Sequence, residues 1–311
     1  MPFLRGHQVL LLFACLCGLN TTACQKDGSA AKSTNASTYD AKIIYGRDTR
    51  MNLYQNSNPI WAQVADATVA LAESRFFYST PEGVGLDYEV YKSAHHLCEG
   101  ERFSDELIFG YCSGILVAPD LVLTAGHCLP KVRDCNETRF VFGHARKSAA
   151  TQSPTLAASE IYRCRQLIHT EQNADGLDFA VARLDRAVVN HKPAVIATRL
   201  PRVGEPLATI GYPNGLPVKI MPGGTLRFLD RGFAEADIQS ATGNSGAAVI
   251  NAETGEILGV DTRGLDDFVK LKRSDGSSCN RSQYLPRSSP ADELETFALA
   301  IDALPYLSVK H

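Results

Sequence analysis

From Tyr111 onward the apolar positions fall in short runs broken by turn-forming residues. The runs are Ser113 to Val117, Leu121 to Thr124, Arg139 to Phe142, Asp178 to Leu184, Leu207 to Gly211, Val218 to Phe228, Ala247 to Asn251 and Ile257 to Thr262. Pro119-Asp120, Asn214-Gly215, Gly223-Gly224 and Thr254-Gly255 separate them, and such pairs set or tolerate turn dihedrals. No helical period is sustained through this region. Many short strands with frequent turns predict a barrel or a sandwich.

The flanks differ. Val64 to Ala72 is apolar and predicts the first strand, whereas residues 73–103 are loop-rich, with Gly83, Gly85 and Gly100. Near the C-terminus Leu294, Phe297, Ala298, Ile301 and Leu304 recur at helical spacing. Ser289 can cap that helix, with Pro290 at its first position and Asp292 completing a capping box. A single C-terminal α-helix is therefore predicted. No internal repeat is visible in the residues.

The N-terminus is of another kind. Arg5 and His7 precede an apolar run from Val9 to Leu19, shorter than the roughly 20 residues that span a bilayer. It reads as a signal peptide over residues 1–23. Residues 24–50 read as a polar tether or propeptide, the stretch from Gln25 to Tyr39 being rich in Ser, Thr, Ala and Lys. Thr21-Thr22-Ala23 fit an ordinary signal-cleavage site. They also resemble a degenerate bacterial lipobox, which would make Cys24 a lipid anchor. The folded domain is expected over residues 51–311.

The 311 residues suffice for one large all-β domain or two small ones. A formal net charge of -3 gives no sign of a nucleic-acid or anionic-membrane partner. Of nine cysteines, Cys15 and Cys17 lie in the signal segment and Cys24 at its end, which leaves Cys98, Cys112, Cys128, Cys135, Cys164 and Cys279. An even number in an exported chain predicts disulfides. No C-x-x-C pair and no zinc-spaced Cys/His cluster appears in this part, so no metal is assigned.

Three blocks carry candidate chemistry. Cys112 to Cys128 reads C-S-G-I-L-V-A-P-D-L-V-L-T-A-G-H-C, a β-hairpin with His127 at the end of its second strand. A general base must be held within hydrogen-bond reach of its nucleophile, and the small Ala125-Gly126 turn between bracketing cysteines supplies that rigidity. Ala241 to Val249 reads A-T-G-N-S-G-A-A-V, where Gly243 and Gly246 flank Asn244-Ser245. Glycines permit a backbone that turns successive N–H groups toward one point. Ser245 is thus the candidate nucleophile, and the N–H groups of Gly243 and Ser245 the candidate oxyanion hole. Gly176 to Asp185 places Asp178 at the head of an apolar strand. A carboxylate drawn inside needs a partner, and the imidazole N–H of His127 is a suitable one. Asp175, in a turn, and Asp185, beyond the strand, are the competitors.

Together T-A-G-H-C, D-F-A-V and G-N-S-G, in the order His, Asp, Ser, resemble the three motifs of chymotrypsin-like serine proteases. G-N-S-G in particular resembles the bacterial glutamyl-endopeptidase branch. The resemblance runs from roughly Val64 to the C-terminus. It implies an all-β fold of two six-stranded antiparallel β-barrels, the first over about residues 60–190 and the second over about 191–311, with the site in the cleft between them. It implies a serine endopeptidase that takes protein or peptide substrates, needs no cofactor and works in the bacterial envelope or as a secreted protein. It also supports a Cys112–Cys128 disulfide. The other four cysteines allow three pairings, of which Cys135–Cys164 with Cys98–Cys279 is the expected one.

The sequence departs from the family in places. Asn244 stands where the animal enzymes carry an Asp that pairs with a new amino terminus after zymogen cleavage, although Lys42-Ile43-Ile44-Tyr45-Gly46 loosely resembles an activation site. By alignment to Ser245, the specificity pocket is walled by Gln239 and Ser240 and by Asp261-Thr262-Arg263-Gly264. An inward Asp261 would favour Lys or Arg substrates; an outward one would let Arg263 reverse the preference. Strand alternation puts Asp261 and Arg263 on one face, where they could simply pair. Thr262 is placed to support Asp178 through its hydroxyl. Two other functions share these residues. A non-enzymatic envelope-binding protein is disfavoured by the intact triad, and an esterase or amidase would use the same chemistry.

Overall fold

The computed structural model describes residues 43–307, apart from residues 82, 151–154, 174–175, 289 and 291–292. The expected signal segment, Cys24 and most of the tether lie outside the described residues, as do Asp175, Ser289 and Asp292.

Short apolar runs with turns between them close into two six-stranded antiparallel barrels. In the first, β1 (Thr68–Glu73), β2 (Cys112–Ala118), β3 (Leu121–Thr124), β4 (Thr138–Val141), β5 (Ile161–Gln172) and β6 (Asp178–Leu184) pair in the order 1-2-3-6-5-4, with β4 closing on β1. In the second, β7 (Pro206–Gly211), β8 (Lys219–Leu229), β9 (Phe233–Ala236), β10 (Ala248–Asn251), β11 (Ile257–Arg263) and β12 (Glu295–Leu299) pair as 7-8-9-12-11-10, with β10 closing on β7. One strand order is thus used twice, although the residues show no repeat. Val69, Leu71, Ile115, Leu123 and Phe140 are fully buried in one core, and Leu207, Leu226, Ile238, Val249 and Phe297 in the other. Each such side chain contributes about 1.5–3 kcal/mol by leaving water.

The run from Val64 to Ala72, expected as one strand, is divided. α1 (Pro59–Ala67) ends inside it and leads directly into β1. The helix has a clear start: the Asn58 side chain accepts from the Ile60 and Trp61 N–H groups at 2.9 and 3.4 Å, and Pro59 occupies the first position. A short buried run carries no period that separates helix from strand. Trp61, the chain's single tryptophan, donates its indole N–H to the Ala252 carbonyl at 2.9 Å, just beyond β10. α1 therefore leads into the first barrel while touching the second.

Three other elements correct the sequence reading. β5 was invisible in it because register shifts between Cys164 and Gln166 and between Leu167 and His169 break the alternation. The C-terminal helix is confined to a 3₁₀ turn, Ala300–Ala303, and the helical turn Leu304–Leu307. The apolar residues before it form β12, which is hydrogen-bonded to β9 on one side and β11 on the other. Flanked on both edges and buried, β12 needs apolar residues on both faces, which imitates helical spacing. Finally, residues 43–50 are not tether. Ile43, Ile44 and Tyr45 are buried, Ile44–Tyr45 pairs with Tyr284–Leu285, and Met51–Asn52 adds to the edge of β8.

Among the described residues, three disulfides fasten the loops. Cys112–Cys128 ties the head of β2 to the turn after β3, Cys135–Cys164 ties the short helix Val132–Glu137 to β5, and Cys98–Cys279 ties the long loop before β2 to the hairpin strand Ser278–Ser282. Such bonds belong to oxidising compartments outside the cytosol. Among the described residues, no helix is long and apolar enough to cross a membrane.

Candidate active site

β3 and β6 are neighbours in the first barrel, with Thr124 opposite Ala180. This pairing sets the turn after β3 beside the head of β6. The turn is the 3₁₀ segment Gly126–Cys128, and the head of β6 is Asp178. His127 Nδ1 lies 2.9 Å from Asp178 Oδ2, and the His127 backbone N–H donates to Oδ1 at 3.0 Å. Asp178 is fully buried, so both oxygens spend their lone pairs on one histidine rather than on water. Gly126 makes the approach feasible: a Cβ there would lie 2.0 Å from the Glu171 carbonyl oxygen. Asp185 sits at the other end of β6, where it accepts from the Arg163 N–H at 3.2 Å.

Ser245 comes from the second barrel, in the loop before β10. Gly243 (φ +87°) and Gly246 (φ +84°) bracket it in the left-handed region that glycine favours. A Cβ on Gly246 would lie 2.1 Å from the Ser113 carbonyl oxygen and 2.2 Å from Thr124 Oγ1, so the loop is pressed against β2 and β3. Ser113 holds it there. Its backbone N–H donates to the Ser245 carbonyl at 2.8 Å, and its hydroxyl donates to the Gly243 carbonyl at 2.8 Å while accepting the Tyr212 N–H at 2.9 Å. Ser113 was missed in the sequence. Its one signal is a hydroxyl inside an otherwise apolar strand. The Thr242 carbonyl accepts the Asn214 N–H. Because a trans peptide points its C=O and N–H in opposite directions, the Gly243 N–H is aimed away from Asn214.

The residues expected to line the specificity pocket have different fates. Asp261 is fully buried and accepts from the Ser240 hydroxyl, which in turn accepts from Asn244 Nδ2 at 3.2 Å. Arg263 does not share its face: a register shift between Asp261 and Arg263 breaks the alternation, and Arg263 is exposed, reaching the Asn173 carbonyl at 3.4 Å. The Thr262 hydroxyl donates to the Thr296 carbonyl at 3.0 Å rather than to Asp178. Gln239 holds the N-terminal segment, donating to the Arg47 carbonyl at 2.6 Å and accepting the Thr49 N–H at 3.1 Å.

One buried carboxylate beside these residues escaped the sequence altogether. Glu295, read there as part of a helix, heads β12 fully buried behind Gly264, where a Cβ would lie 1.9 Å from Glu295 Oε2. Its other oxygen accepts the Ile43 N–H at 3.0 Å. Beside His127 a cavity of about 310 Å³ opens on first-barrel residues, among them Glu73, Tyr111, Pro130 and Glu137. The sulfurs of Cys112 and Cys128 lie within 4.8 Å of a His127 ring nitrogen, but their disulfide removes them as thiolate ligands.

Residues 112–260 match the trypsin-like peptidase domain. Human chymotrypsin-like elastase family member 3B is 30% identical over 149 residues, which is 48% of this chain and 47% of the relative. The chain thus spans about half the length of that curated relative. Among solved structures, a Glu endopeptidase in complex with MPD superposes with a TM-score of 0.50 at 17% identity, covering 85% of this chain and 97% of its own. A serine endoprotease from Yersinia pestis superposes at 0.45 with 18% identity, over 79% of this chain and 62% of its own. Residues 112–260 are thus similar to the trypsin-like peptidase domain, and the chain has a chymotrypsin-like fold of two barrels.

Proposed function

We propose that the chain is a serine endopeptidase working through an acyl-enzyme. The observation that carries this reading is the grip of Asp178 on both the ring and the backbone of His127, at a turn packed beside the Ser245 loop. His127 takes the hydroxyl proton as Ser245 Oγ attacks the carbonyl carbon. The Gly243 and Ser245 N–H groups receive the developing oxyanion. His127 then protonates the leaving amine, and water repeats the sequence to release the acid. Asp178 fixes the tautomer and stabilises the imidazolium.

The acyl side of the substrate enters between Ser240 and Gly264, and the leaving side crosses the first-barrel cavity beside His127. Behind the acyl pocket stand two buried carboxylates, Asp261 and Glu295, which favour a Lys or Arg side chain. The chain is exported by its signal segment, and Cys24 carries a lipid anchor. A serine-directed phosphonate should label the mature protein, and Ser245→Ala should abolish the labelling; labelling that persists in that variant sinks the assignment. Cleavage-site profiling on a peptide library tests the pocket, where a preference for Glu would refute it.

A further inference from the structure

A pocket of about 440 Å³ opens on the outer face of the first barrel, where β4 and β5 meet the hairpin Phe77–Thr80 and Gly83–Leu86. Arg139 and Arg163 line it and are Cα partners across the β4–β5 ladder. The next pair, Phe140 and Tyr162, is buried in the core, so alternation turns the two arginines outward. Like charges placed directly opposite destabilise a sheet. Burial and then the Arg163 charge lower the Arg139 pKa, the expected signature of that opposition.

The carboxylate at hand, Asp185, offsets it only in part, since the Arg139 pKa stays lowered. Asp185 is engaged by Arg186 at 3.1 Å and by the Arg163 backbone N–H. Arg186 is held in turn by the Ala158, Ser159 and Ile161 carbonyls and lies over the Tyr162 ring at 3.8 Å. The Asp185–Arg186 pair neutralises itself. Arg139 lends one Nη to the Thr138 and Asn136 carbonyls at 3.0 and 3.4 Å, and with Arg163 it lines a cavity that Ser74 and Tyr78 help to wall. Ser74 and Arg139 each directly follow a residue that lines the cavity beside His127, namely Glu73 and Thr138. The two cavities therefore adjoin along the chain.

We propose that this pocket holds a carboxylate-rich stretch of a polypeptide substrate, on the leaving side of the bond attacked by Ser245, through the opposed guanidinium groups of Arg139 and Arg163. The proposal rests on the peptidase reading above. Guanidinium forks match carboxylates, and a site adjoining the cleft lets one chain occupy both, so that the second contact forms at high effective concentration. The cost of two opposed charges is then offset when substrate arrives.

Two peptides with one cleavable sequence test it, extended on the leaving side either by several Asp and Glu residues or by Ser and Gly. The acidic peptide should show a kcat/KM about tenfold higher, as one charged hydrogen-bonded pair would supply. The gain should shrink with added salt. It should vanish in R139Q/R163Q, which cleaves the neutral peptide as the parent does and melts no lower. Equal kcat/KM for the two peptides overturns the proposal, as does a gain that survives the double substitution. If neither peptide is cut, the peptidase reading falls. The pocket is then judged by fluorescence anisotropy of a labelled acidic peptide: binding lost in R139Q/R163Q supports it. Absence of binding, or binding of a sulfated polysaccharide alone, overturns it.

Discussion

Asp178 holds His127 twice, one oxygen on the ring nitrogen at 2.9 Å and the other on the backbone N–H at 3.0 Å. The second bond does not depend on the tautomer. It positions the turn itself, so the imidazole is placed by main chain as well as by side chain. Asp178→Asn removes one acceptor and puts an amide donor in its place, against either the ring or the backbone N–H. Kinetics at saturating substrate should show kcat falling by about 10⁴-fold, as loss of the correct tautomer does in this chemistry. A variant within a factor of a few of the parent would remove Asp178 from the mechanism.

Ser113 is expected to matter to the site without touching substrate. Its hydroxyl joins the Tyr212 N–H of the second barrel to the Gly243 carbonyl. Ser113→Ala leaves a buried N–H unsatisfied, which costs about 1–3 kcal/mol in a denaturant titration. The same change loosens Gly243, the glycine of the proposed oxyanion hole. We expect kcat to fall with KM little changed, whereas a purely structural role would lower stability alone.

Gly264 tests the buried carboxylate behind the proposed pocket. Gly264→Ala sets a methyl 1.9 Å from the ideal Cβ position to Glu295 Oε2, so the carboxylate must move away from the Ile43 N–H that it accepts. Overpacking of this kind costs about 1–3 kcal/mol. Melting curves should show that loss together with reduced kcat/KM for Lys and Arg substrates. An unchanged substrate profile would separate Glu295 from specificity.

His191 sets a pH dependence. Its Nδ1 meets Asp66 of α1 at 2.9 Å and its Nε2 meets Glu160 at 2.7 Å, while the ring stacks on Phe142. The hydrogen bond to Asp66, opposed by burial and aided by Glu160, raises the histidine pKa above its ordinary 6.5. A raised folded pKa means that the stabilisation is complete below about 6.5 and is lost as pH rises through the folded value. His191→Gln should therefore lower the melting temperature more at pH 5.5 than at pH 9. An equal loss at both values would contradict the charged pairing.

How far the residues alone led can be judged element by element. β2 to β4, β6 to β8, β10 and β11 were legible because short apolar runs are separated by turn-forming residues. The contact of Asp178 with His127 was legible because His127 follows the small Ala125-Gly126 turn and Asp178 heads an apolar strand. Glu295 and Ser113 were not, since their roles come from partners 252 and 130 residues away. Asp261 and Arg263 were misread as face-sharing because a bulge is set by pairing with β12, which no local pattern records. The duplicated strand order is likewise a property of pairing, which different residues can satisfy equally.

Trp61 carries a practical consequence. With one indole in the chain, the intrinsic emission comes from a single place, and that place is the contact of α1 with Ala252 at the edge of the second barrel. Loss of that contact hydrates the ring and removes its carbonyl partner, so the emission should shift to the red even where each barrel keeps its own circular dichroism. The protein thus contains its own optical gauge of whether the two halves of the cleft remain together.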